Sequence, residues 1–153
     1  MRTALLLAIS LAACSSGSSS NPLPADEAKQ LLIDRNWLDR MPETDRDRLH
    51  VYRFVPTMGG GVYQDRTLYK GTFELFKFKA TGDEIHFDLP ETKTKVASAY
   101  KIEEVTGPKP FDLRLTIFES PRGPKTYYGI KAETDPHGEQ LEATLAKIAG
   151  SAE

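Results

Sequence analysis

The chain has 153 residues, with 20 lysines and arginines against 22 acidic residues and a formal net charge of −2. That balance excludes the basic stripe or patch that nucleic acid or an anionic membrane face calls for as a partner. One cysteine leaves no disulfide partner, so a domain of this length must be held by a hydrophobic core of ordinary size.

The N-terminus reads as an export signal. Arg2 supplies positive charge, Ala4 to Leu11 an apolar stretch too short to span a bilayer, and Leu11-Ala12-Ala13 a small-residue cleavage context just before Cys14. Ser15 to Asn21 follows as a Gly/Ser-rich stretch of flexible coil. The run ending at Cys14 resembles the lipobox of bacterial lipoproteins. The resemblance implies that residues 1–13 are removed, that Cys14 carries the lipid anchor, and that 14–23 form a lipidated tether. Loss of Arg2 with the leader makes the mature chain one unit more negative. Ser15, standing where an aspartate would favour the inner membrane in that family, implies the outer membrane.

Pro24 to Arg35 predicts a short helix, with Asp26 and Glu27 in the first turn and Ala28, Leu31 and Leu32 on one face. From Trp37 the apolar period changes to 2, and eight strands are predicted: 37–41, 49–56, 62–69, 72–79, 84–89, 95–105, 111–119 and 126–131. Alternation is clearest over 84–89, where Ile85, Phe87 and Leu89 share one face and Glu84, His86 and Asp88 the other. Short turn-rich connections favour antiparallel neighbours. A second helix is predicted over 136–149, capped by Asp135 and stopped at Gly150. The expected fold is mainly β, an eight-stranded antiparallel up-and-down barrel over 24–150 that closes its own edges, with a β-sandwich as the alternative.

The helical lead-in, Trp37 opening the first strand, the eight-strand meander and the terminal helix together resemble the lipocalin-like, or calycin, barrels. Arg35 stands two positions before the tryptophan, where true lipocalins carry glycine. The resemblance implies a binder of a small apolar or amphipathic ligand.

Little in the chain points to chemistry. A metal site needs several ligands converging, and His50, His86 and His137 are dispersed, with His86 and Asp88 on one polar strand face. Ser98 reads as a packing residue, Ser120 has no evident base, and Glu103-Glu104 point to opposite sides of a strand. No cofactor is implied and no enzyme activity is expected. Gly59-Gly60-Gly61 reads as a mobile hairpin tip over a barrel end. In 72–78, Phe73 and Leu75 lie on one face and Phe76 and Phe78 on the other, so one face is expected to meet something outside the barrel, most simply the terminal helix through Leu141, Leu145 and Ile148, or else a partner protein or a lipid surface. Tyr52, Phe54, Phe87 and Tyr100 are the candidate ligand-lining residues, as bulky groups on predicted strands. Two functions remain open: a carrier or sensor of a small apolar ligand, and a filled barrel that serves as a protein-interaction module of an envelope complex.

Overall fold

The computed structural model describes residues 20–151; Cys14 and the lipobox lie outside them. Helix α1 (Ala25–Leu32) precedes strands β1 (Asn36–Leu38), β2 (Leu49–Val55), β3 (Gly60–Arg66), β4 (Gly71–Ala80), β5 (Glu84–Leu89), β6 (Thr94–Glu104), β7 (Leu113–Ile117) and β8 (Thr126–Gly129), and α2 (Glu139–Gly150) follows. Every neighbouring pair is antiparallel, and β1 closes on β8 through Leu38 opposite Tyr128. The result is a closed eight-stranded up-and-down barrel, consistent with a lipocalin-like small barrel. Closure leaves no unpaired sheet edge. Among the described residues no helix is long and apolar enough to cross a membrane.

Alternation sorts the strands into two apolar layers. The inward set fills the lumen: Tyr52 and Phe54 on β2, Phe76 on β4, Ile85, Phe87 and Leu89 on β5, and Leu113, Leu115 and Ile117 on β7 are all buried. The outward set on one side, Leu38, Leu49 and Val51, is buried beneath Leu141 and Leu145 of α2 together with Leu68 and Phe111. Helix α2 therefore covers β1 and β2, not β4 as its apolar stripe suggested. Its position is fixed by the segment after β8, which is bonded to the start of β1. The second apolar face of β4 stays uncovered, with Phe73 58% and Leu75 64% exposed.

Several boundaries differ from the sequence-based expectation for identifiable reasons. Helix α1 ends at Leu32 because Ile33 is extended and bridges to Phe54. Strand β7 begins at Leu113, and Phe111 turns outward to stack on Tyr128. Helix α2 begins at Glu139, after Gly138 at φ +79°, yet Asp135 still caps it: its Oδ2 accepts from the Leu141 amide at 3.2 Å. Gly60 and Gly61 belong to β3 instead of a loose tip. A Cβ at Gly61 would lie 2.4 Å from the Phe76 ring, so these glycines permit close strand approach.

The end of the stretch read as tether runs along the barrel. The Leu23 amide bonds the Ile102 carbonyl at 2.8 Å, and Pro22 bridges to Glu103. Ser20 donates to Glu103 and accepts from Arg114 at 3.0 Å. Glu103 faces outward from β6 and is nonetheless buried under this strap, ion-paired with Lys101 and Arg114. Burial pushes its pKa up, but hydrogen bonds from Lys101 and Arg114 outweigh that and hold it below the usual glutamate range.

Candidate functional site

The lumen is where a barrel of this size either packs its own side chains or holds one small ligand. Here it is packed. The Tyr52 ring meets Phe54 at 5.6 Å between centroids, Tyr63 at 4.9 Å, Phe76 at 5.7 Å, Phe87 at 6.1 Å and Tyr127 at 5.1 Å. Phe54 extends the cluster to Phe78 at 5.2 Å. These separations lie in the range of direct aromatic packing. Of the four candidate lining residues, Tyr52, Phe54 and Phe87 are in mutual contact and Tyr100 stands apart. Its hydroxyl donates to the Thr81 carbonyl at 2.8 Å. All four are at most 4% exposed.

Each barrel end is occupied. At one end α1 lies across the mouth with Ala28 and Leu32 buried against the lumen, and Trp37 donates its indole N–H to the Leu32 carbonyl at 3.0 Å. Between α1 and the β2–β3 turn remains a concavity of about 660 Å³, floored by Ile33, Phe78 and Ala80 and rimmed by Asp26 and Lys29. At the other end the β7–β8 loop is drawn in. Arg122 pairs with Glu74 through two hydrogen bonds of 2.6 and 2.9 Å, and its carbonyl accepts from the Tyr52, Tyr127 and Ser120 hydroxyls. Gly123, at φ +62°, sits so close that a Cβ there would be 2.5 Å from the Tyr63 hydroxyl and 2.7 Å from that of Tyr127. Only glycine fits that turn at that distance.

Burial pushes the phenol pKa of Tyr63 and of Tyr100 up to about 12, and that of Tyr52 and Tyr127 higher still. The unfolded chain loses these protons near pH 10, while the fold keeps them. The folded state therefore binds more protons above that pH. The contribution is fully present below pH 10 and is lost as pH rises through the folded-state values. In a chain carrying Tyr69→Phe and Tyr128→Phe, which leaves only these four of the six phenols, an alkaline titration is expected to show phenolate absorbance rising together with loss of the barrel's circular dichroism, as one cooperative step. Gradual ionisation with the fold intact would contradict a packed lumen.

Among the described residues the histidines and their nearest carboxylates stand in separate pairs. His50 lies 2.6 Å from the Tyr63 hydroxyl and 3.9 Å from Asp65, but both approach Nδ1, so the imidazole cannot pass a proton from one to the other. Asp65 is itself held by Arg48, whose hydrogen bonds keep its carboxyl below the usual range. His86 pairs with Glu84 at 2.8 Å on the outer face, and Asp88 faces Lys95 at 4.0 Å. His137 lies in the turn before α2. Among the described residues no group of three histidine, cysteine or acidic side chains could hold a metal ion. Ser98 points inward and donates to the Glu119 carbonyl.

One buried polar network was not anticipated beyond the oddity of Arg35. Its guanidinium donates to the carbonyls of Leu31, Ile130, Lys131 and Glu133. Asn36 donates to Glu133 and Asp135, each at 2.6 Å, and Arg53 to the Asp135 carbonyl at 2.8 Å. Burial raises the Glu133 pKa. It acts the same way on Asp135, where hydrogen bonds from Asn36 and from the Leu141 and Gln140 amides outweigh it and hold the pKa low. With two cations and two carboxylates, the network is electrically balanced and ties β1, β2 and the α2 lead-in together. It is structural in every contact it makes.

No protein-family model, no curated protein and no solved structure matches the chain. The fold and its occupied lumen therefore stand on their own: a small closed barrel of lipocalin-like architecture whose interior is filled by its own aromatic side chains.

Proposed function

We propose that the chain is a non-enzymatic, outer-membrane lipoprotein, anchored through Cys14, whose filled barrel is a rigid module for protein interaction in the cell envelope. The observation that supports this reading is the lumen. A small-molecule site offers on the order of 300 Å³ or more of space, and here the aromatic cluster around Tyr52 occupies the place where that space would be. A body stapled by closure, by α1 and by the Arg122 loop suits docking through its outer surface.

A fluorescent polyene fatty acid, read by energy transfer from Trp37, tests this. Trp37 is the only tryptophan and lies at the α1 end. The reading expects no saturable transfer; a stoichiometric, saturating signal would overturn it in favour of a carrier. The carrier reading has one observation on its side, the concavity of about 660 Å³ between α1 and the β2–β3 turn. There Phe78 and Ala80 would meet an apolar chain, and Lys29 and Asp26 a polar head group. A carrier of this kind would bind at the mouth, outside the packed lumen.

Anchoring is tested separately. Cys14→Ser is expected to move the protein from the membrane to the soluble fraction, since stable attachment needs acyl chains. Retention in the membrane fraction would remove the basis for the assigned location.

A further inference from the structure

We propose that the outer face of β3 and β4 is an isologous docking surface for a second copy of this chain. The proposal rests on the interaction-module reading and names its partner. Among the described residues, four of the five exposed large apolar side chains lie along this side of the barrel: Met58 at 65%, Tyr69 at 71%, Phe73 at 58% and Leu75 at 64%. The face uncovered by α2 is the one on which they gather.

The patch carries both halves of a contact. Phe73 and Leu75 project from it, and beside Leu75 is a concavity of about 240 Å³ walled by Val55, Met58, Val62 and Pro90. That volume lies below the range of about 300–1,000 Å³ typical of ligand sites and suits an apolar side chain. A surface that presents knobs and a hole together is complementary to itself, which is what a two-fold interface requires.

Charges of both signs border the patch. Arg66, over the Phe73 ring at 5.8 Å, is paired with Glu142 at 2.6 Å, and Lys77 shares the outer face with Asp88, its neighbour in register, which faces Lys95 at 4.0 Å. No single-sign field selects an oppositely charged partner.

The anchor argues against a bilayer as occupant. Ser20 is bonded to Glu103 on β6 and Arg114 on β7, and in a closed ring of eight β7 lies opposite β3. From Ser20 back to Cys14 the chain reaches at most about 20 Å. An anchor at Cys14 would therefore hold a membrane from the β6–β7 side, away from the β3–β4 face.

Four side chains just over half exposed, at about 150–250 Å² for a large ring, give about 500 Å² per copy. A standard interface has about 800 Å² per partner, so the association is weak in solution and is favoured by confinement of anchored copies in one plane.

The test uses the full chain carrying Cys14→Ser, so that an introduced Leu75→Cys is the only thiol, with Lys95→Cys on the outer face of β6 as the comparison. Under mild oxidation at increasing concentration, Leu75→Cys is expected to form a covalent dimer about tenfold faster than Lys95→Cys or more. Adding Phe73→Asp, also exposed and so neutral to folding, is expected to reduce the rate to that of Lys95→Cys. Equal rates for the two cysteines would overturn the proposal. So would a Leu75→Cys thiol that couples only to another protein in a cell extract, or one shielded only by lipid vesicles without dimer formation. None of these outcomes depends on the fatty-acid titration, so the two readings fail separately.

Discussion

Phe54→Ala is expected to destabilise the barrel by about 3–5 kcal/mol. Phe54 is fully buried and packs against Tyr52, Phe76, Phe78 and Phe87. Removing its ring deletes the transfer free energy of the side chain and leaves a cavity that neighbours on hydrogen-bonded strands cannot collapse to fill. Urea unfolding measures this as a lowered midpoint with an unchanged slope. Phe73→Ala, on the exposed face of β4, is expected to change stability by less than about 1 kcal/mol. A small loss at Phe54 would mean that the lumen is loosely filled, and the argument against an interior ligand would fall with it.

Asp135→Ala is expected to cost about 2.5–4 kcal/mol, combining a lost helix cap of about 1 kcal/mol with a lost charge-assisted hydrogen bond of about 1.5–3 kcal/mol. Asp135 is 3% exposed, and its carboxylate joins Asn36 to the first turn of α2. Its removal also leaves the Arg35 and Arg53 cations with Glu133 as their nearest compensating charge. The same midpoint shift measures it, and hydrogen exchange is expected to show α2 opening ahead of the barrel, since the helix loses its tie to β1. Asp135→Asn, which keeps one acceptor, is expected to recover part of the loss. Uniform exchange across α2 and the strands would contradict the linking role assigned to Asp135.

The barrel was legible because each strand carried its own alternation and each connection its own turn residues. In 84–89 the pattern put Ile85, Phe87 and Leu89 inside and His86 outside, as found. Pairing of consecutive segments then left few topologies, and closure followed from the cost of exposed edges. The position of α2 was not legible. A helical stripe of Leu141, Leu145 and Ile148 says that the helix packs, while the strands beneath it are decided by how residues 130–138 are pinned. That pinning comes from far away in sequence: Arg35 acts through backbone carbonyls that carry no sequence signal, and Asn36 through the side-chain carboxylates of Glu133 and Asp135. The expectation that the terminal helix covers the second apolar face of β4 failed for the same reason, which leaves a partner outside the chain as the alternative for that face.

Lumen occupancy was legible only in part. Periodicity identifies which rings share a face, yet filling depends on their volumes summed over eight strands and on the Arg122 loop. The short inward reach of that loop depends on Gly123. Tyr52, Phe54, Phe87 and Tyr100 were selected by size alone, and ring contacts separate the first three from the fourth. The strap from Ser20 to Leu23 was hidden by its polar composition, because the groups that hold it, Glu103 and Arg114, lie on strands far along the chain. The anchor at Cys14 rests wholly on the sequence.

Native mass spectrometry of the full lipidated chain, released gently from membranes, tests the central claim most directly. A filled interaction barrel predicts the mass of the polypeptide with its covalent lipid, alone or as multiples and complexes with other proteins, and no small molecule. A discrete additional mass of a few hundred daltons, retained by the folded protein and released on denaturation, would contradict it and identify the barrel as a carrier.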